Sequence, residues 1–519
     1  MKEIIQKTKN LYNKEKKVFW LTIVTSLITH FQLYTLMITG ADTLINNMYH
    51  RADIWEAMLL RFGLDFMQMI KGNIVSPVLV TIISSILLGI TVILVTETLK
   101  IKNKYFKYIT AMIFAVAPNI SATLTFFYCS DAYIIGMLLS TLAVFLMQKY
   151  KDKKWPILLS GLFIALAMGM YQTYLSITMV LCLATLLIDS LENKDKKQIF
   201  KDIIRYLLMG IIGIIIFYIL SHLTLLLKNL KVSDYSGASS IGLKTLLDLP
   251  KLLPEAYKSF FNYYFTDKMI PNTIWGTNIL YIIIFTTMII SLINIIIKNK
   301  TKTINIILAI IFIIIAPICF GVIEIMVPDV DIHILMACAM IYIIPIFFKI
   351  LEIYNQNSAS RIFKYIVAFC SLIIIWNYIW QDNASYLAIK SMQNQAESTV
   401  TRIVTQIEEL DEYTPNMPVL FLGGLENNSY LSRENTSIEA KKIFDRSWGF
   451  ISKKSTIFWG NLDSWRKMLY EHIGVNLNLV SEWECQEIFK TEEYKNMKYY
   501  PEKDSIKIIN NTVVVKLSD

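Results

Sequence analysis

The residues of this sequence best suited to chemistry are an aspartate, an arginine and a few polar aromatic positions, each set at the edge of a long apolar stretch. Asp42, in Gly40-Ala41-Asp42-Thr43-Leu44, stands just beyond the first apolar run. A carboxylate so placed can take a proton from an incoming hydroxyl while the helix behind it holds its backbone still, as general-base catalysis requires. It can equally be a solvated carboxylate or a helix cap. Arg61, in Leu60-Arg61-Phe62-Gly63, carries a planar fork that can grip a phosphate leaving group as its negative charge grows, or can snorkel to lipid headgroups. Asp131 and Tyr133 follow a stretch broken at Pro118-Asn119, and Asp131 suits a ligand role or a helix N-terminus. Tyr171-Gln172 lies between two apolar half-segments, where it can orient a sugar or anchor at an interface.

Charged residues are almost absent from the middle of the apolar runs, where an ion or substrate pathway would need them. Polarity instead collects near the run ends of one parity, at His30, Gln32, Asp42, Arg61, Asp65, Asp131, Tyr133, Tyr171, Gln172 and the stretch Asp329 to His333. Several distant segments therefore deliver polar groups to one face of a membrane. A metal site is not expected: Asp329-Val330-Asp331 has Asp-x-Asp spacing but sits in a short turn with no room for a nucleotide-binding domain. P-loop, Rossmann and zinc-hydrolase patterns are missing, and no cofactor is implied.

The elements that must carry these residues are membrane helices. Of 519 residues, 55% are hydrophobic and 18% charged, and the charges cluster in short connectors between apolar stretches. The net charge of +9 comes from lysines in those connectors, which suits an anionic membrane face and not nucleic acid. About 20 apolar residues cross the hydrocarbon core, and on that ruler the spans are 19–39, 75–97, 107–127, 132–148, 156–171, 173–190, 205–228, 276–298, 304–323, 332–350 and 363–381. The first follows a basic head but has no small-residue cleavage site, so it reads as a retained span and not a signal peptide. The segment 156–190 is one bent helix or two short ones joined at Met170 to Thr173. The basic loops flanking it, Lys149 to Lys154 and Lys194 to Lys201, need an even number of crossings between them and favour the hairpin. By the positive-inside rule those loops and the amino terminus face the cytoplasm, and the loops 40–74 and 229–275 face outward with the tail. Residues 1–381 thus form the membrane region and 382–519 an extracytoplasmic domain. In that domain residues 383–412 read as helix, Met417 to Gly424 as a buried strand, and Ile506 to Leu517 as a hairpin turning at Asn510-Asn511. The six cysteines form no Cys-x-x-Cys pair, and Cys485 is alone in the tail.

In this order the motifs look familiar. Asp42 after the first span, Leu60-Arg61-Phe62, Pro118 with Asp131-Ala132-Tyr133, Tyr171-Gln172, and the closing stretch from Tyr500-Pro501 through Ser505-Ile506-Lys507 to Val513 to Leu517 together make the chain resemble the bacterial Gtr-type (glucosyl transferase GtrII) family nearly end to end. The sequence departs from that pattern in having Ala41-Asp42 where relatives commonly carry two acidic residues, and Leu60 and Phe62 where a glycine and a tryptophan flank the arginine. The resemblance implies a GT-C-like bundle of about eleven transmembrane helices, mainly α, with a small α/β C-terminal domain, in the bacterial cytoplasmic membrane. It implies transfer of a sugar, glucose by the family's habit, from an undecaprenyl-phosphate carrier to a surface polysaccharide or teichoic-acid-type acceptor. Asp42 would be the base, and Arg61, Asp131, Tyr133, Tyr171 and Gln172 would bind substrate. Membrane lipids, a donor-synthesising glycosyltransferase and a small flippase are the implied partners. The rival classes are a lipid-linked-oligosaccharide flippase or transporter, which should place polar groups on broken helices near the midplane, a polysaccharide polymerase or ligase, and a surface-anchored binding module, which needs no such number of spans.

Overall fold

The computed structural model describes all residues except 1, 38–53, 234–242, 271–275, 299, 327–331, 355–357, 426–427, 429, 431–458 and 519. Helices dominate: α1 Lys2–Thr29, α2 Phe31–Thr35, α3 Ile54–Met58, α4 Phe62–Ile70, α5 Pro77–Thr98, α6 Lys104–Val116, α7 Pro118–Leu124, α8 Ser130–Lys149, α9 Trp155–Met170, α10 Leu175–Leu191, α11 Lys196–Leu227, α12 Leu243–Phe265, α13 Thr277–Lys298, α14 Thr303–Phe320, α15 Val322–Met326, α16 Ile343–Ile353, α17 Ser358–Glu408 and α18 Trp459–Lys467. The chain divides into two units, residues 1–34 with 49–382, and residues 35–48 with 383–519.

Among the described residues eight helical segments are long and apolar enough to cross a bilayer: Pro77–Thr98, Ser130–Lys149, Gln172–Leu191, Lys196–Leu227, Thr277–Lys298, Thr303–Phe320, Ile334–Ile353 and Arg361–Glu408. Three of the expected spans fall outside that set for separate reasons. The first shares α1 with the basic amino-terminal head and its helix stops at Thr29. The span expected at 107–127 is split where Ala117, extended at φ −66° and ψ 138°, precedes Pro118, because a proline ring crowds the α conformation of the residue before it. The span at 156–171 is 16 residues long. The segment 156–190 is a pair of helices, since Tyr171 at φ −162° and ψ 126° ends α9 and a 3₁₀ turn, Gln172–Tyr174, starts the next.

Small residues let the helices of the first unit approach closely, which is how membrane helices gain packing without a hydrophobic drive between them. A Cβ on Gly161 of α9 would lie 2.7 Å from Ile212 Cγ2 and 3.3 Å from the Gly213 nitrogen of α11. Where basic connectors gather, buried carboxylates answer them. Lys107 pairs with Glu15 at 2.6 Å, and Lys151 bridges Asp189 and Asp202 at 3.0 Å each. Arg205 donates to the carbonyls of Tyr150, Lys151 and Lys153, which fixes the α8–α9 connector.

The second unit holds a four-stranded sheet in the order β2-β1-β4-β3, from β1 Pro418–Leu422, β2 Asn478–Leu479, β3 Ile506–Ile509 and β4 Thr512–Lys516. β1 is parallel to β2 and β4, and β3 and β4 are antiparallel. Asn510 and Asn511, at φ 47° and 58°, make the two-residue turn that needs positive φ at both positions. Trp465 of α18 stacks on Phe421 of β1 with ring centres 4.1 Å apart. Residues 383–408 are helical, as the expected tail helix requires.

Candidate active site

Arg61 ends a tight turn and opens α4. The Leu60 and Arg61 amides donate to the Ala57 and Glu56 carbonyls at 3.0 and 2.8 Å, and Leu60 takes the left-handed conformation, φ 61°. That conformation strains any residue with a Cβ, which gives a physical reason for glycine at this place in the related pattern. α4 then packs on the end of α9 through two glycines: a Cβ on Gly63 would come within 3.0 Å of the Gly169 carbonyl, and one on Gly169 would run into the Phe62 ring. This approach brings Arg61 over Tyr171, with the guanidinium carbon 4.4 Å from the ring centre.

The rest of the cluster is built outward from that contact. Tyr171 stacks on Tyr133 at 5.2 Å and 20°, and Tyr174 meets both edge-on. The Gln172 amide donates to the Leu59 carbonyl at 2.6 Å, tying the 3₁₀ turn to the strained turn before Arg61. Asp131, buried at the start of α8, pairs with Lys71 at 2.8 Å, and Lys71 also donates to the Tyr128 carbonyl at 3.2 Å. Gln68 reaches the same carbonyl, so the far end of α4 is strapped to the 126–131 turn. Arg61, Asp131, Tyr133, Tyr171 and Gln172 therefore lie in one cluster of the first unit. Asp42, Asp329 and Asp331 lie outside the described residues.

Charge and hydrogen-bond balance in this cluster are uneven. Asp131 has its cation in Lys71, but the Arg61 side chain has no carboxylate partner among the described residues, and its buried Nε makes no hydrogen bond. Its positive charge is offset by the Tyr171 ring, a contact of about 0.5–2 kcal/mol depending on exposure. A partly buried guanidinium left in this state is equipped to receive an anion. In the same unit the carbonyls of the 3₁₀ helix Ile334–Tyr342 accept hydrogen bonds from side chains of other segments: Asn119 donates to Ile334 and Ala337 at 2.9 and 2.8 Å, Thr173 to Met336, and Tyr264 to Met340 at 2.6 Å. Tyr263 closes the network on Asn119 at 2.5 Å.

Over residues 42–348, more than half of the chain, the sequence matches the family model described as glucosyl transferase GtrII. The chain belongs to the GtrII family. No curated protein matches it. The GtrII match begins at Asp42 and takes in Arg61, Asp131, Tyr133, Tyr171 and Gln172. Membership together with the apolar helices makes the protein a membrane protein of glycosyltransferase character.

Three polar groups of this GtrII chain are not among the site residues expected from sequence. Lys71 is the counter-charge of Asp131, but nothing in the stretch Ile70-Lys71-Gly72 separates it from any loop lysine. Asp382 is fully buried in the first unit beside Ser121, with neither carboxyl oxygen in a well-formed hydrogen bond. It follows the last apolar run by one residue and reads in sequence as the start of a solvated tail. Glu324, in α15, has its carboxyl pushed up to about 7 by burial, with Glu255 adding to the shift and the Ser259 hydroxyl opposing it. Among the described residues no three His, Cys, Asp or Glu side chains gather closely enough to hold a metal ion.

Proposed function

We propose that the protein transfers a hexosyl group, glucose in the family's manner, from a polyprenyl-phosphate carrier to a hydroxyl of a cell-surface polysaccharide or teichoic-acid-type polymer, at the outer face of the bacterial cytoplasmic membrane and with inversion at the anomeric carbon. Asp42 removes the acceptor proton as the acceptor oxygen bonds to the anomeric carbon. The bond from that carbon to the phosphate oxygen breaks, and its electron pair leaves with the lipid phosphate. Arg61 receives the charge that develops there, and Tyr171, held on Tyr133, keeps the guanidinium in position. Asp131, fixed by Lys71, and Gln172, fixed on the Leu59 carbonyl, are the groups for orienting donor hydroxyls. A phosphate is already a fair leaving group, so placement and electrostatic stabilisation supply the catalysis.

The observation that carries this reading is the Arg61 side chain, stacked on an aromatic face with a buried unbonded Nε, in a GtrII chain whose family match starts at the proposed base. Surface glycans from cells carrying wild type or Asp42→Asn test it. Loss of the added sugar in Asp42→Asn at unchanged membrane abundance is expected. Undiminished sugar in that variant removes Asp42 from the mechanism.

A further inference from the structure

A cavity of about 570 Å³ lies between the first turns of α11 and the start of α14, far along the chain from the cluster around Arg61. On α11, Lys197, Lys201 and Arg205 follow one another at four-residue spacing, and Lys196, Phe200 and Ile204 form a second row beside them. Ile304 of α14 closes the opposite side. The two helices are held at this separation by backbone contacts of the connector before α11. The Lys302 amide donates to the Asn193 side chain and the Asn305 amide group to the Lys194 carbonyl, both at 3.0 Å.

Most carboxylates of the neighbouring connectors are already paired, and Asp195, at the N-cap before Lys196, is exposed with no ion pair among the described residues. Asp189 faces Lys151 and Lys194, Asp202 faces Lys151 and Arg205, and Glu192 faces Lys194 and Lys349. Arg205 spends its remaining donors on the connector carbonyls. Lys196, Lys197 and Lys201 are exposed, and none has an ion pair among the described residues. Three cations with no ion pair among the described residues therefore ring one end of the cavity, and the lone Asp195 carboxylate beside Lys196 leaves them a net positive charge. From its other end an exposed apolar face continues along α11 through Phe200, Ile204, Leu207, Leu208 and Ile211.

An aqueous anion would use the lysines and leave that apolar face unfilled, and an alkyl chain alone would leave the lysines unanswered. We infer that this cavity is a binding site for an anionic phospholipid, its phosphate among Lys196, Lys197 and Lys201 and its acyl chain along the Phe200–Ile204 face towards Ile211. The ordinary alternative is a diffuse basic collar that attracts anionic lipid without holding any one molecule. The two differ in whether retention depends on these lysines or on any three.

The full chain is reconstituted in nanodiscs of phosphatidylcholine with or without phosphatidylglycerol, and lipids that stay bound are counted by native mass spectrometry. Wild type should retain phosphatidylglycerol selectively. Replacing Lys196, Lys197 and Lys201 together by Gln should weaken retention on the order of 100-fold, about fivefold per lysine. The control Lys102→Gln, Lys104→Gln, Lys300→Gln should keep it, and Ile204→Gln should weaken it with the charge unchanged. If the triple variant fails to fold, each single variant read alone should show its fivefold share. Equal loss in site and control variants, equal retention of phosphatidylcholine, or full displacement by water-soluble glycerol 1-phosphate overturns the assignment.

Discussion

The Arg61 guanidinium sits over Tyr171 with its Nε turned inward, and both features need a planar, delocalised cation. A lysine keeps the charge but loses the stacking and the paired donors. On the proposed mechanism Arg61→Lys therefore lowers sugar transfer by roughly 10- to 100-fold at an unchanged thermal midpoint, since one good charge-assisted contact to the developing phosphate is worth about 1.5–3 kcal/mol. Transfer assays on matched membrane preparations measure the ratio. Glu324 gives a pH dependence of stability. Its folded value, about 7, is above the ordinary 4.5, so the folded chain holds an extra proton between those values and loses stability as pH rises through that window. Glu324→Gln removes the group that must ionise. Its thermal midpoint should gain on wild type from pH 5 to pH 8, and a constant difference across that range would mean that Glu324 is not the titrating group. Much at this scale was legible in sequence as residue type and place: Arg61, Asp131, Tyr133, Tyr171 and Gln172 stand out as polar groups at the ends of apolar runs. What sequence could not give was partnership. Lys71 looks like any loop lysine until α4 folds back on the 126–131 turn, and Asp382 looks solvated until the first unit encloses it.

Among elements, the contact that decides the cluster is α4 on α9. Gly63 and Gly169 meet there because neither has a Cβ, and Phe62 covers Gly169. Gly169→Ala drives a methyl into the Phe62 ring and lifts α4, with Arg61 at its first turn. The cost of such overpacking is typically about 1–3 kcal/mol. The substitution is expected to lower the thermal midpoint and to weaken donor binding together, whereas Ala at Gly210, inside a helix where a Cβ meets nothing within 4 Å, should lower neither. Helix breaks were partly legible. Pro118 announces its own, and the flanking lysine loops favoured a turn at Met170 to Thr173 over one bent helix. The β3–β4 turn at Asn510-Asn511 was equally plain, because few residues other than Asn and Gly accept positive φ twice in succession. The 3₁₀ helix Ile334–Tyr342 was not legible: its apolar run suits an ordinary span, and the side chains of Asn119, Thr173 and Tyr264 that bond its carbonyls come from three other segments.

For the whole molecule, membrane insertion and family membership rest on the apolar helices and on the GtrII match over residues 42–348. Hydropathy carried the fold class and the position of the eight long apolar helices, because lipid demands long apolar runs wherever a helix crosses, but not α12, Leu243–Phe265, which lies within the expected loop 229–275. It is least informative where a helix mixes roles, as in α1 with its basic head and in α17, whose residues 358–382 and 383–408 belong to different units. The central claim is that the base and the arginine serve one donor at the outer face. Right-side-out membrane vesicles, charged with polyprenyl-phosphate-linked labelled glucose and offered isolated cell-wall polymer only from outside, test this directly. Label should pass to the external polymer with wild type and fail to pass with both Asp42→Asn and Arg61→Ala. Transfer that survives in both variants, or that occurs only when the polymer is trapped inside, contradicts the account.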